Sequence, residues 1–121
     1  MRILVTGSTA WTDALAIRRE FARLPGACTV VTGDCPGVDA CAIRVATALG
    51  WPLEGMKKNR ADGRKHPGES WKGLNERMLA TGIDLVLAFH ADLDKPECAR
   101  GTRHVLDLAL LAGIPTLTFT C

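Results

Sequence analysis

The first eleven residues constrain the fold more than any other part of the chain. An apolar run at residues 3–5 ends abruptly at Gly7, which is followed by Ser8 and Thr9, and an amphipathic segment begins at Thr12. This order is typical of a buried strand, a tight turn and a helix N-terminus. Such a turn directs several backbone N–H groups and the positive end of a helix dipole at one place, where an anion is stabilised. In open α/β sheets that anion is usually part of a nucleotide.

Apolar strand-like runs alternate with helical patterns along the rest of the chain. The predicted strands cover residues 3–5, 28–32, 52–56, 83–89 and 114–120. The predicted helices cover residues 12–23, 38–49, 70–79 and 102–111, whereas the basic segment 57–70 and the segment 90–100 are expected to be long loops. This alternation predicts a Rossmann-like three-layer α/β fold, with a five-stranded parallel sheet in the order 3-2-1-4-5 and helices on both faces. We expect residues 1–121 to form a single domain.

Composition and charge argue against several classes of function. The formal net charge of +2 is too small to favour nucleic-acid binding. The five cysteines are odd in number and lack C-x-x-C spacing, and the three histidines share no ligand spacing, so we expect reduced thiols, a cytoplasmic location and no metal or cofactor. No apolar run reaches the ~18 residues of a membrane span. Since the first predicted strand starts near residue 2, we expect no signal peptide.

The predicted strand order places a ligand crevice between the first and fourth strands. The chain reverses direction there, and ligands of open α/β sheets bind at the carboxyl ends of the strands beside such a reversal. We expect the loops 7–11 and 90–102 to flank this crevice. The loop 33–39 leaves the neighbouring second strand and is expected to lie beside it.

The first of these loops combines backbone freedom with hydroxyl groups. Gly7 allows close approach of the backbone, and the hydroxyls of Ser8 and Thr9 can either bind a phosphate or cap the following helix. Trp11 lies beside this loop, so it is the tryptophan best placed to stack on a ligand. Trp51 and Trp71 are expected to be packing residues.

The second loop places two glycines four residues apart in front of a helix. Gly33 and Gly37 flank a turn, and Asp39 lies in the first turn of the next helix. Asp39 can accept hydrogen bonds from a ribose hydroxyl or orient a reacting group. Its alternative role is structural, since an acid in the first helical turn contributes ~0.3–1 kcal/mol through the helix dipole.

The third loop opens the last predicted helix with Arg100, Gly101 and Thr102. A Gly-Thr pair at a helix N-terminus with cationic neighbours suits a phosphate group, and its alternative is an ordinary cap by Thr102. Asn75 and Arg77 lie near the start of the preceding helix and either reach the crevice or form an exposed polar face. The basic segment either closes over an anionic ligand or is a solvated surface.

Taken in order, these segments resemble one family over nearly the whole chain. The segments 7–11, 32–40, 75–78, 84–89, 101–102 and 112–115 resemble the motifs G-S-R-x-W, H-G-G-A-x-G-A-D-x, R-N-x-x-M, D-L-V-L-A-F, G-G-x-G-T and A-G-I-P. These motifs are those of the small YspA-like (cpYpsA-related) branch of the SLOG superfamily. That superfamily also includes the lonely-guy cytokinin-activating enzymes and the DprA-type proteins.

The resemblance implies a Rossmann-like fold that binds a nucleotide or a nucleotide-derived phosphate ligand at the crevice. The residues expected to contact the phosphate are Gly7, Ser8, Thr9, Gly101 and Thr102. Gly33, Gly37 and Asp39 are expected to face the sugar, with Asn75 nearby. Arg77, Arg100 or a residue of the basic segment is expected to neutralise the charge. Some members are phosphoribohydrolases and others sense nucleotide-like signals. Members commonly pair through helices, which implies a homodimer, and similar small proteins occur in actinobacterial phages.

Departures from the family pattern decide between binding and catalysis. Thr9 replaces the motif arginine, and Val105 stands where the hydrolases carry a glutamate, although a valine cannot act as an acid, base or nucleophile. We therefore expect a binding or sensing protein. The alternative is an N-glycosidase, a phosphoribohydrolase or a ribosyl transferase, in which Asp39 or Glu76 replaces the glutamate and Arg77 stabilises the leaving group. A third hypothesis is an interaction protein whose crevice is a relic.

Overall fold

The computed structural model describes residues 1–95 and 97–121, and the sheet that they form is the predicted one. The described strands pair in parallel in the order β3-β2-β1-β4-β5, with helices on both faces, which confirms the predicted fold. The strands are β1 (Arg2–Gly7), β2 (Thr29–Thr32), β3 (Leu53–Gly55), β4 (Leu85–Phe89) and β5 (Thr116–Phe119). The helices are α1 (Ala14–Phe21), α2 (Val38–Leu49), α3 (Arg60–Lys65), α4 (Ser70–Ala80) and α5 (Arg100–Ala112).

The apolar core is divided by the sheet into two layers. Successive side chains of a strand point to opposite faces. In β1, Ile3 and Val5 therefore join one buried cluster with α1 and α2, while Leu4 joins a second cluster with α4 and α5. All three side chains are fully buried, as expected for a central strand of a sheet that is covered on both faces. The fixed central strands hold the loops at their carboxyl ends in place.

One predicted loop contains a helix. The prediction of an irregular segment at 57–70 is wrong over the residues of α3, which begins with a capping box. The Asn59 side chain accepts from the Asp62 N–H at 2.9 Å, and the Asp62 carboxylate accepts from the Asn59 N–H at 2.9 Å. Asp62 is buried against α4, where a Cβ on Gly73 would lie 2.7 Å from that of Asp62. The N-x-x-D spacing is the sequence signal of this helix start.

Two of the predicted helices start at other residues than expected. Helix α1 begins at Ala14 rather than at residue 12, because the Asp13 side chain accepts from the Ala16 N–H at 3.1 Å and caps the helix there. Helix α5 begins at Arg100, two residues earlier than predicted, so its first turn lies at the edge of the sheet. No described helix has the length and apolar character required to cross a bilayer.

Candidate functional site

A cavity of about 620 Å³ opens at the carboxyl ends of β1, β2 and β4. Its volume is in the range of small-molecule sites. Nine of the residues predicted to bind a ligand line it: Gly7, Ser8, Thr9, Gly33, Asp39, Asn75, Arg100, Gly101 and Thr102. The three loops that the sequence analysis singled out thus meet at one cavity, at the reversal of strand order between β1 and β4.

The tryptophan that faces this cavity is not the predicted one. Trp11 is 9% exposed and packs edge-on against Phe89, with the ring centroids 5.6 Å apart. Its indole N–H donates to the Asp13 carbonyl oxygen at 2.9 Å, and it is not among the residues that line the cavity. Trp71, predicted to be a packing residue, lines the cavity instead.

Gly37 shapes the cavity without lining it. Its φ of +80° lies in the left-handed region, and a Cβ there would lie 2.2 Å from the Ser8 carbonyl oxygen. The next residue, Val38, donates its N–H to the same Ser8 oxygen at 3.0 Å. The absence of a side chain at Gly37 therefore lets the start of α2 pack directly on the loop that follows β1.

Two of the three predicted catalytic residues lie outside the cavity. Arg77 donates to both carboxylate oxygens of Asp62, at 2.9 and 2.7 Å, and Glu76 accepts from His66 at 2.8 Å and pairs with Lys65 at 3.1 Å. These contacts join α4 to α3 and its flanking turn. Neither side chain lines the cavity, so the structure gives both a role in packing.

The helices that begin at the cavity lack side-chain caps, whereas the two others have them. Asp13 caps α1 and Asn59 caps α3, but within the described residues α2, α4 and α5 begin without a side-chain hydrogen bond. At α5, the backbone N–H groups of Arg100, Gly101 and Thr102 have no acceptor in the described part of the chain. Unpaired N–H groups at a helix start favour an anion, because they add to the positive end of the helix dipole.

The loop between β4 and α5 is held in shape by buried polar contacts. The His90 Nδ1 accepts from the Asp92 N–H at 3.0 Å, so the proton of the neutral ring lies on Nε2, which donates to the Cys98 carbonyl oxygen at 3.2 Å. The Arg103 guanidinium donates to the Leu93 carbonyl oxygen. His90 lines the cavity, but both of its ring nitrogens are engaged in fixing this loop.

One face of α4 forms another wall of the cavity, next to the start of α5. Trp71, Leu74, Asn75 and Met78 all line the cavity, and their spacing places them on a single helical stripe. The Arg100 guanidinium lies 5.6 Å from the centre of the Trp71 ring. Of these four residues, Asn75 was predicted to bind the ligand, and helical spacing from Asn75 is the sequence signal for the three others.

Side-chain charge does not make the cavity cationic. Three carboxylate residues line it: Asp39, Asp92 and Glu97. Of the cations that line it, Lys58 pairs with Asp34 at 3.0 Å and Arg100 pairs with Glu69 at 2.8 Å. Any attraction for an anion therefore comes mainly from the backbone N–H groups and the helix dipoles.

Asp39 is a partly buried carboxylate at the edge of the site. Burial raises its pKa above the ordinary value, and the hydrogen bonds from the Cys35 N–H and the Thr32 hydroxyl, both 3.2 Å long, act in the opposite direction. A Cβ on Gly33 would lie 2.8 Å from an Asp39 carboxylate oxygen. Asp39 therefore supports the loop that follows β2 while it borders the cavity.

Comparison with known proteins identifies the family. No family model matches the chain. The chain is similar to the Gene 61 protein of Mycobacterium phage D29, with 34% identity over 126 aligned positions that cover 98% of this chain and 95% of the relative. Identity at this level, over nearly the full length of both proteins, shows common descent and a shared fold. The chain therefore belongs to the family of the Gene 61 protein of Mycobacterium phage D29.

Proposed function

We propose that the chain binds a nucleotide or a nucleotide-derived phosphate ligand in this cavity, as a binding or sensing protein. The observation that carries the proposal is the uncapped start of α5 at the cavity, where three successive N–H groups have no acceptor among the described residues. Thr102 is 4% exposed, lines the cavity, and its hydroxyl has no hydrogen-bond partner in the same part of the chain. Unpaired donors at a helix start suit a phosphate group.

The part of the ligand beyond the phosphate is inferred from the face of α4 that lines the cavity. Trp71, Leu74 and Met78 offer an aromatic and apolar surface beside the start of α5, which suits a nucleobase. The balance of side-chain charges favours a ligand with one phosphate group, because each further phosphate would lie near the carboxylates that line the cavity. A nucleoside monophosphate combines these properties.

The resemblance to YspA-like SLOG proteins is part of the proposal. Four of the segments that carry this resemblance contribute residues to the cavity, which supports a shared ligand class. The cytoplasmic location and the homodimer stay predictions. Leu110 and Leu111, exposed by 78% and 85%, supply apolar surface on α5 for pairing of two copies.

Thermal denaturation with a ligand panel tests the proposed function. The panel contains AMP, GMP, CMP, UMP, NAD, ADP-ribose and inorganic phosphate. A ligand at 100 times its Kd stabilises the native state by about 2.7 kcal/mol, because it binds the folded chain alone, and the melting temperature rises accordingly. If no nucleotide of the panel raises the melting temperature, the proposed function is wrong and the relic hypothesis is favoured.

Thr102→Val is expected to weaken nucleotide binding about 10- to 100-fold, because it removes a hydroxyl donor to a charged phosphate while it keeps the shape of the side chain. Isothermal titration with the best nucleotide of the panel measures the change. Thr47→Val is the matched control, since Thr47 is an exposed residue of α2 outside the cavity. Equal affinities of the two variants for the nucleotide would show that the Thr102 hydroxyl does not bind the phosphate.

The second candidate function is cleavage of the N-glycosidic bond of a nucleoside phosphate. The observation that favours it is the partly buried Asp39 carboxyl group at the cavity, because desolvation raises its pKa above the ordinary value. Incubation with the same nucleotides, followed by chromatography, would detect free base. If the chain is an enzyme, Asp39→Ala abolishes release of base; if it is a binding protein, the wild type releases none and Asp39→Ala only weakens binding.

A further inference from the structure

The orientation of the Asn75 carboxamide is fixed by its neighbours. Its Nδ2 lies 3.3 Å from the Gly101 carbonyl oxygen and 3.1 Å from the His104 Nδ1. A carbonyl oxygen only accepts hydrogen bonds, so the group that faces Gly101 is the NH₂ group. The His104 Nδ1 accepts the second N–H, which requires a neutral ring; burial lowers the pKa of His104 and favours that form.

The remaining polar atom of this side chain is an acceptor that faces the cavity. Asn75 is 7% exposed and lines the cavity, and its Oδ1 has no donor among the described residues. Among the described residues, the fully buried side-chain polar atoms without a hydrogen-bond partner are the Nε atoms of Arg2 and Arg103. The Asn75 Oδ1 also has no partner but is not one of these atoms, so it is open to the cavity. Because it can only accept, it recognises an O–H or N–H group of the occupant.

The position of Asn75 relates this acceptor to the proposed phosphate site. The same carboxamide contacts Gly101 in the first turn of α5. Its Oδ1 therefore lies close to the turn that carries the unpaired N–H groups. Trp71 lies one helical turn before Asn75 and Met78 nearly one turn after it, on the same stripe of α4. In a nucleotide, the unit between the phosphate and the base is the sugar, whose hydroxyls are hydrogen-bond donors.

We infer that Asn75 reads the sugar of the ligand: its Oδ1 accepts a hydrogen bond from a ribose hydroxyl, so the cavity selects ribonucleotides over deoxyribonucleotides. This inference rests on the proposed function. A buried acceptor that loses its partner discriminates against the deoxy ligand, because that ligand neither supplies the donor nor restores water to the oxygen.

Titration of the wild-type chain with matched ligands tests the inference without any substitution. The probes are the tightest-binding of AMP, GMP, CMP and UMP, together with its 2′-deoxy and 3′-deoxy analogues. We expect at least one analogue to bind about 3- to 10-fold more weakly than the ribonucleotide, through the loss of one hydrogen bond. If both analogues bind as tightly as the ribonucleotide, the inference is overturned.

A variant then assigns the preference to Asn75. Asn75→Leu keeps the approximate size of the side chain and removes the acceptor, so its affinities for the three ligands are expected to be equal. A preference that persists in this variant would overturn the assignment to Asn75. Because the three ligands are titrated against the same variant, a general loss of affinity does not alter the ratios of their affinities. Failure of every nucleotide and of inorganic phosphate to bind the wild type would instead overturn the proposed function, and the inference with it.

Discussion

Gly37→Ala is expected to lower the free energy of unfolding by about 2–5 kcal/mol and to disrupt ligand binding in the cavity. A left-handed conformation is unfavourable for alanine, and the new Cβ would lie 2.2 Å from the Ser8 carbonyl oxygen and 2.7 Å from the Thr9 Cα. These are backbone atoms of the loop that follows β1, so they cannot turn aside as a flexible side chain would. Urea denaturation measures the change in stability.

A second glycine measures the cost of a positive φ where no close contact is present. Gly50 has a similar φ of +70° at the end of α2, but a Cβ there would meet nothing within 4 Å. Gly50→Ala is therefore expected to lower stability by about 1–2 kcal/mol, from the left-handed conformation alone, and to leave the loop after β1 in place. Equal losses in the two variants would show that the close approach of α2 to this loop contributes nothing measurable.

Arg77→Met is expected to lower the free energy of unfolding at neutral pH by about 2–3 kcal/mol, at the lower end of the range for a broken buried pair because the Arg77 side chain is about one-third exposed. The variant keeps the aliphatic packing of residue 77 and leaves the buried Asp62 carboxylate without its cation. Thermal or urea denaturation measures the loss. Arg64→Met is the control: Arg64 is exposed on α3, and its replacement is expected to change stability by less than about 0.5 kcal/mol.

The same ion pair predicts a dependence on pH. The hydrogen bonds from Arg77 hold the pKa of Asp62 below its ordinary value of 3.8 in the folded chain. Since the folded-state pKa is the lower one, the stabilisation is complete above the unfolded pKa and is lost as the pH falls through the folded pKa. The stability difference between the wild type and Arg77→Met is expected to be constant near neutral pH and to shrink below about pH 4. A difference that persists unchanged at pH 2 would contradict this account.

The cavity loops could be predicted because their signals are local. Gly7, Gly33 and Gly101 each stand where an apolar run ends or a helical pattern begins, and parallel strands present such positions at one edge of the sheet. The alternation of elements then determined the strand order, because right-handed crossovers leave few arrangements. Asn75 was also predicted from its position in the chain, but its hydrogen bonds with Gly101 and His104 were not.

Other predicted site residues lie outside the cavity, because their positions depend on contacts between distant segments. Arg77 has the same sequence environment whether it faces a ligand or a carboxylate, and only the packing of α3 on α4 brings Asp62 within 2.7 Å of it. The choice between Trp11 and Trp71 has the same origin. Trp11 lies beside the loop after β1, but its ring packs in the core against Phe89, at the end of β4.

By itself, the sequence determined the layers of this protein, the order of its strands and the edge at which a ligand would bind, because periodicity and turn chemistry act over a few neighbouring residues. The tertiary structure alone decided which side chains of α4 face the cavity, which cations are already paired, and which helix starts have unpaired N–H groups. Those properties depend on contacts between residues far apart in the chain, such as Asn75 and Gly101, and a local sequence pattern does not predict such contacts.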